Sequence, residues 1–367
     1  MAPIEDQIKQ IEEELKTTPY NKKSQHHIGR LKAKLAHLKE ETEKRRSRKG
    51  PSLSYAVKKS GNATVALVGF PSVGKSTLLN RITNAKSEVA AYDFTTLNVV
   101  PGLMDYRGAK IQVLDLPGLI KDASKGKGRG REVLSVVRAS DLIILMIDVF
   151  ETNLQVLIDE LSIAGIRLNM KPPNVSISKR TRGGITVNST VSLTKLDDDL
   201  VSEMMREFGI VNADIVIREN VDEDRLVDAL ATNRHYAKAI VVINKIDLVN
   251  LTYLREIEKR FKNWHIIPIS AERDLNIELV QDKIFDALDL VRVYMKPQGK
   301  EADMVEPLVI RKGTDVGGVC DALHREFRRK FRYAQVWGKS AKFPGQNIGL
   351  DHILMDSDIL TIVVRRQ

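Results

Sequence analysis

The spacing of apolar positions changes along the chain, and each change marks a different kind of element. Ile4, Ile8, Ile11 and Leu15 are spaced four, three and four apart, and Ile28, Leu31, Leu35 and Leu38 three, four and three. Each set lines one side of a helix. Pro19-Tyr20-Asn21 breaks the period between them. The pattern predicts a helical hairpin, stripe against stripe, that runs into the basic segment Lys44-Arg45-Arg46-Ser47-Arg48-Lys49; hairpin and linker occupy residues 1–60. From residue 61, short apolar runs alternate with helical stretches. Residues 64–68, 110–114, 142–147, 239–243 and 265–269 read as strands of a mostly parallel α/β sheet with helices on both faces. About ninety residues separate the third strand from the fourth, whereas a crossover helix with its loops needs roughly 20–30. The excess predicts a small α+β insert over residues 170–235, with alternation at Val175 and Ile177, a second run at Gly183-Gly184-Ile185-Thr186-Val187, and helices near 197–207 and 222–232. The sheet domain spans 61–295. After Pro297 come a strand at 307–310, an amphipathic helix over 316–327 and strands at 333–337 and 359–364, a compact β-rich domain over 296–367 with one main helix.

Composition sharpens this division. A chain of 367 residues suits several domains. No apolar run is long enough to span a bilayer, and Glu5 and Asp6 put charge where a secretory signal would be apolar, so a cytoplasmic, non-membrane protein is expected. The single cysteine, Cys320, forms no internal disulfide, fits a reducing compartment and stands at helical spacing among core residues. No His/Cys cluster has zinc spacing. The net charge of +10 is uneven: residues 1–60 carry 15 Lys/Arg against 8 Asp/Glu and residues 296–367 carry 13 against 9, which leaves the middle near neutral. Two basic flanks around a neutral core suggest contact with a polyanion, RNA first; a solvated surface kept for solubility is the other reading.

The chemistry is concentrated at strand ends. Gly69-Phe70-Pro71-Ser72-Val73-Gly74-Lys75-Ser76 is a complete G-x-x-x-x-G-K-[ST] loop between a strand and a helix that continues through Thr77. Its backbone N–H groups and helix N-terminus suit a polyphosphate, with Lys75 reaching the β and γ phosphates and the Ser76 hydroxyl on Mg2+. Asp115-Leu116-Pro117-Gly118 follows the next strand. Asp115 there can hold Mg2+ through a water and the Gly118 N–H can sense the γ-phosphate, while Phe94-Thr95-Thr96 supplies Thr96 as a further metal ligand. Asn244-Lys245-Ile246-Asp247 follows the fourth strand. The Asp247 carboxylate matches the two N–H groups on the guanine edge, which adenine lacks, with Asn244 and the Lys245 stem bracing the base. Ser270-Ala271, after the fifth strand, offers a backbone N–H to the guanine carbonyl. All the segments fall at the C-terminal ends of parallel strands, where such folds bind ligands.

In these segments, together with Tyr92-Asp93-Phe94-Thr95-Thr96-Leu97, Lys127-Gly128-Arg129-Gly130-Arg131, Ala164-Gly165-Ile166-Arg167-Leu168-Asn169 with Pro172-Pro173, and His26-His27-Ile28-Gly29-Arg30-Leu31, the chain resembles the developmentally regulated GTP-binding proteins, within the wider Obg-like GTPases. The resemblance covers nearly the whole chain. It implies a P-loop GTPase domain with an N-terminal helical hairpin, an inserted subdomain and a C-terminal TGS domain of β-grasp shape. It implies Mg-dependent conversion of GTP to GDP and phosphate, ribosome-associated work in translation, K+ as a second cofactor as in some relatives, and, as in eukaryotic relatives, a regulatory protein partner. A monomer is expected.

Lys75, Thr96 and Gly118 are the expected catalytic residues, acting by positioning and charge neutralisation. Leu119 and Ile120 stand where Ras-like enzymes carry a water-orienting Gln, which predicts slow intrinsic hydrolysis completed by a partner, an RNA surface or a monovalent cation. The glycine- and Lys/Arg-rich segment 121–131 reads either as a surface loop or as a switch that follows the γ-phosphate. In the C-terminal domain Phe327 and Phe331 are expected in the core, and Arg325, Arg328, Arg329, Lys330 and Arg332 on an RNA backbone. Two other readings compete: an ATPase of the same architecture, against which Asp247 argues, and a non-enzymatic, nucleotide-stabilised RNA-binding scaffold.

Overall fold

The computed structural model describes residues 4–21, 24–48, 61–83, 100–116 and 130–365. In chain order its elements begin with α1 (Ile4–Thr17), α2 (Gln25–Arg48), β1 (Ala63–Gly69), α3 (Lys75–Ile82), β2 (Val100–Tyr106), β3 (Ala109–Asp115), α4 (Gly130–Ala139), β4 (Leu142–Asp148) and α5 (Leu154–Ile163). There follow β5 (Ile166–Leu168), β6 (Val175–Lys179), β7 (Ile185–Ser189), α6 (Asp198–Glu207), β8 (Ala213–Ile217), α7 (Glu223–Leu230) and β9 (His235–Asn244). The chain then forms α8 (Leu251–Arg260), β10 (Ile266–Pro268), α9 (Ile277–Ala287), β11 (Leu290–Met295) and β12 (Leu308–Arg311). It ends with α10 (Val316–Leu323), α11 (Arg325–Arg329), β13 (Phe331–Trp337), β14 (Gln346–Ile348) and β15 (Asp358–Val364). Among the described residues no helix is long and apolar enough to cross a membrane. The chain divides into two compact units.

The larger unit is built on a sheet of order β10-β9-β4-β1-β3-β2. β1, β3, β4, β9 and β10 run parallel, and β2 lies antiparallel on β3 at the edge. β1 and β4 are buried at every position, which is why they read as unbroken apolar runs. The edge strand β2 was not apparent in the sequence: it is mostly half-exposed and carries Pro101 and Gly102, which an edge tolerates.

The same unit contains a second sheet, of order β12-β11-β15-β13-β14, with α10 packed on it through Val316, Val319 and Cys320. β11 pairs antiparallel with β12 and parallel with β15, so the C-terminal domain begins near Leu290 rather than at 296. The helix expected over 316–327 is broken. His324 is extended (φ −171°, ψ 139°), and its ring nitrogen accepts from the Glu326 N–H to start α11. The break carries Phe327 outward, so it is exposed and not in the core, while Phe331 packs against the core as expected. Arg328 pairs with Asp321 of α10, and Arg329 and Lys330 pair with Glu326 of α11.

The smaller unit joins two segments that the sequence separates by more than a hundred residues: the α1–α2 hairpin and the stretch 165–236. The hairpin stripes meet as expected, with Ile11, Leu31 and Leu38 buried among Ile4, Ile8, Leu15 and Leu35. The other side of α2 presents Ala33 and Ala36 to a core formed by α6, α7 and the three-stranded sheet β6-β8-β7. These small side chains let the helix approach closely and make no stripe of their own.

Candidate functional site

Backbone geometry at the end of β1 is imposed by crowding. A side chain at Gly69 would stand 2.3 Å from the Met146 carbonyl oxygen, and one at Gly74 2.3 Å from Asn244 Nδ2. Gly74 has φ 92° and Ser72 φ 63°, both in the left-handed region. Between them Val73 is buried in the core and anchors a loop whose Pro71 and Ser72 are exposed. Gly74 is the N-cap of α3 and no side chain caps that terminus, so the helix presents backbone N–H groups that await acceptors.

Lys75 folds back over this loop. Its ammonium donates to the carbonyls of Gly69 (3.2 Å) and Phe70 (2.9 Å), and the residue is 8% exposed. Burial lowers its pKa, and the nearby Asp115 carboxylate opposes that shift. The Ser76 hydroxyl donates to Asp115 Oδ2 at 2.5 Å, and Asp115, at the end of β3 opposite Leu67 of β1, is buried. A hydroxyl and a carboxylate brought together beside a loop of N–H donors is an all-oxygen set of the kind Mg2+ prefers. Leu116 is buried and Thr77 half-buried on the first turn of α3. Phe94, Thr95, Thr96, Pro117, Gly118, Leu119, Ile120 and the segment 121–129 lie outside the described residues.

The end of β9 is tied to this loop by one buried side chain. Asn244 Nδ2 donates to the Val73 carbonyl (2.9 Å), and Asn244 Oδ1 accepts from the Ala271 N–H (2.9 Å). Lys245 has φ 66°, and its ammonium donates to Asp148 Oδ2 at 2.5 Å. Asp247 sits on a 3-10 turn, Ile246–Leu248, with Arg273 Nε 3.3 Å from its Oδ2. The Ala271 N–H donates to Asn244 Oδ1 and the Ser270 N–H to the Leu275 carbonyl (3.2 Å), so the Ser270-Ala271 turn is braced against the end of β9.

Three residues escaped the sequence reading. Arg81, on the last turn of α3, donates to the carbonyls of Ala271 (3.1 Å) and Glu272 (3.2 Å) and pairs with Asp274 at 3.0 Å, which links the phosphate-loop helix to the loop after β10. Arg273 stands on Asp247, and Asp148 ends β4 beneath Lys245. Only Asp148 carried a signal: it is the one acidic residue closing a buried parallel strand at the same level as Asn244.

The chain matches the family described as 50S ribosome-binding GTPase over residues 64–179, the C-terminal region of that domain over 182–290, and the TGS domain over 291–364. It is 55% identical to an uncharacterized GTP-binding protein of Methanocaldococcus jannaschii over 366 residues, 99% of this chain and 93% of that protein. It is 43% identical to developmentally-regulated GTP-binding protein 1 of Xenopus laevis over 361 residues, covering 97% of this chain and 98% of the relative. A Dictyostelium discoideum homolog of developmentally-regulated GTP-binding protein 2 is 41% identical over 364 residues, 98% of this chain and 99% of that protein. The chain therefore belongs to the developmentally regulated GTP-binding protein family, GTP-binding proteins of the P-loop GTPase fold with a C-terminal TGS domain.

Proposed function

We propose that this protein is a GTP-hydrolysing switch that works on the ribosome or another RNA surface during translation. One observation carries the reading: Lys75, the Ser76–Asp115 pair and the Asn244–Asp247 segment converge at the C-terminal ends of adjacent parallel strands. Gly69, Phe70, Pro71, Ser72, Val73, Gly74 and Thr77 would wrap the phosphates, and Lys75 would exchange its two carbonyl acceptors for β- and γ-phosphate oxygens. Ser76 and Asp115, with Thr96, would hold Mg2+, which when bound would supply positive charge against the phosphates. Asp247 would take the guanine edge and displace Arg273 from it, while Asn244 keeps the base loop and the phosphate loop in register. Phe94, Thr95, Pro117 and Gly118 would complete the γ-phosphate contacts, and the basic segment 121–131 would report the bound state to RNA.

With Leu119 and Ile120 in place of a water-orienting side chain, intrinsic turnover is slow and depends on a ribosome, a partner protein or K+. Calorimetry with GTP, GDP and ATP, followed by single-turnover hydrolysis in K+ or Na+ with and without ribosomes, tests this. GTP and GDP binding with ATP excluded, and cleavage accelerated by ribosomes, is the expected result. Equal uptake of ATP removes the guanine reading. Guanine binding with no cleavage under any condition leaves the non-enzymatic scaffold. Co-sedimentation with ribosomes that is the same in GDP and in a non-hydrolysable GTP analogue removes the switch.

A further inference from the structure

The two oxygens of Asp148 have different partners. Oδ1 accepts from the N–H groups of Phe150 (2.9 Å) and Glu151 (2.7 Å), which turns the chain away from the sheet at the end of β4. Oδ2 accepts from the ammonium of Lys245 at 2.5 Å. The carboxylate is buried, and β4 sets it opposite Asn244 in the parallel register with β9. Burial pushes its carboxyl up, but the Lys245 ammonium and the Glu151 and Phe150 N–H groups outweigh that and hold it below the ordinary range. Lys245 occupies the left-handed region that a side chain with a Cβ rarely adopts, so its surroundings hold its backbone there. Its Nζ is drawn inward to Asp148 although the side chain is 32% exposed. An untethered lysine in such a place would extend its ammonium into water.

We infer that Asp148 is a positioning residue for the guanine site: by fixing the Lys245 ammonium it lays the lysine stem down as a wall for the flat face of the base. This rests on the reading of Lys245 and Asp247 as base-binding residues. Asp148 itself meets neither the base nor the phosphates. Its effect passes through Lys245, so it sets how tightly any purine of the guanine type is held and leaves untouched the contacts that tell guanine from its relatives.

The test uses the full chain and a fluorescent GDP titrated against unlabelled GDP and IDP, which lacks the 2-amino group. Asp148→Asn keeps an oxygen for the Phe150 and Glu151 N–H groups and removes only the charge facing Lys245. It is expected to weaken GDP and IDP by the same factor, about tenfold, the scale of a lost charge-assisted hydrogen bond. In a Lys245→Met background the same change is expected to add less than about twofold, because residues that act through one another are non-additive. Asp148→Ser is the second variant, since a hydroxyl also accepts from the turn. An equal effect of Asp148→Asn in both backgrounds, no effect at all, or failure of both variants to fold would make Asp148 a purely structural residue and overturn the inference. If Lys245→Met and Asp247→Ala also leave GDP binding unchanged, it is the base-site reading that has failed.

Discussion

The two units of this protein are held together by different physics. The larger one places its polar groups at the C-terminal ends of β1, β3, β4 and β9 and keeps the sheet between them apolar: all seven positions of β1 and of β4 are buried. The smaller one spreads charge through the contacts between the hairpin and the 165–236 segment. His26 meets Asp197, Lys32 meets Asp224, Tyr20 and Gln25 share Glu223, and Thr232 is bonded to Glu40. Within it, buried Asp228 is gripped by Arg167 (2.6 and 2.7 Å) and Arg234 (2.7 Å). A unit assembled from distant segments needs contacts that fix register, and directional polar pairs around its apolar core provide them. A nucleotide cleft needs polar atoms kept free for a ligand, so buried strands carry the loops and only a few polar side chains, Arg81, Asp148 and Asn244 among them, brace those loops.

Asp228→Ala strands two arginines that are only 15% and 13% exposed, and should cost about 3–5 kcal/mol. Chemical denaturation should show this loss in the smaller unit while GDP affinity is kept; a parallel loss of nucleotide binding would mean that the units are not independent. Lys75→Ala does the reverse. GTP affinity should fall about a hundredfold, roughly 3 kcal/mol, with unfolding of the smaller unit unchanged when followed by amide exchange.

A third change separates a directional pair from an apolar core within the larger unit. Arg292 donates to Asp356 through its backbone N–H and both sides of its guanidinium, and that guanidinium holds the Asp356 carboxyl down to about 2. The contribution is fully present above the ordinary carboxylate range and is lost as pH falls toward 2. Allowing for solvent screening, Asp356→Asn should cost about 1–2 kcal/mol at pH 7 and little at pH 2, measured by urea unfolding. The smallest effect belongs to His26. The Asp197 hydrogen bond raises its pKa against the opposing effect of burial, so its contribution is present below the ordinary histidine range and disappears as pH rises through the raised value. His26→Gln should lower stability by less than about 1 kcal/mol at pH 6 and not at pH 9.

What could be read from sequence follows the same division. The phosphate loop was legible because Gly69 and Gly74 are forced by neighbours less than 3 Å away, and the parallel strands because both their faces are buried. The stripes at Ile4–Leu15 and Ile28–Leu38 were legible as a hairpin, but Ala33 and Ala36 gave no sign that α2 has a second apolar side. β2 was hidden by edge chemistry, and the break at His324 was hidden because the apolar period continues through it to Phe327. At the site, motif residues were found and their supports were not. Arg81, Arg273 and Asp148 act through space on loops far away in sequence, and no spacing rule brings them together.

The amide of Asn244 faces two ways, toward the loop at Val73 and toward the turn at Ala271. A single planar group cannot rotate to please one neighbour without disappointing the other. On the proposed reading this amide would couple the base end of a nucleotide to its phosphate end independently of the ribose, and pyrophosphate should tighten the binding of free guanosine in a calorimetric titration.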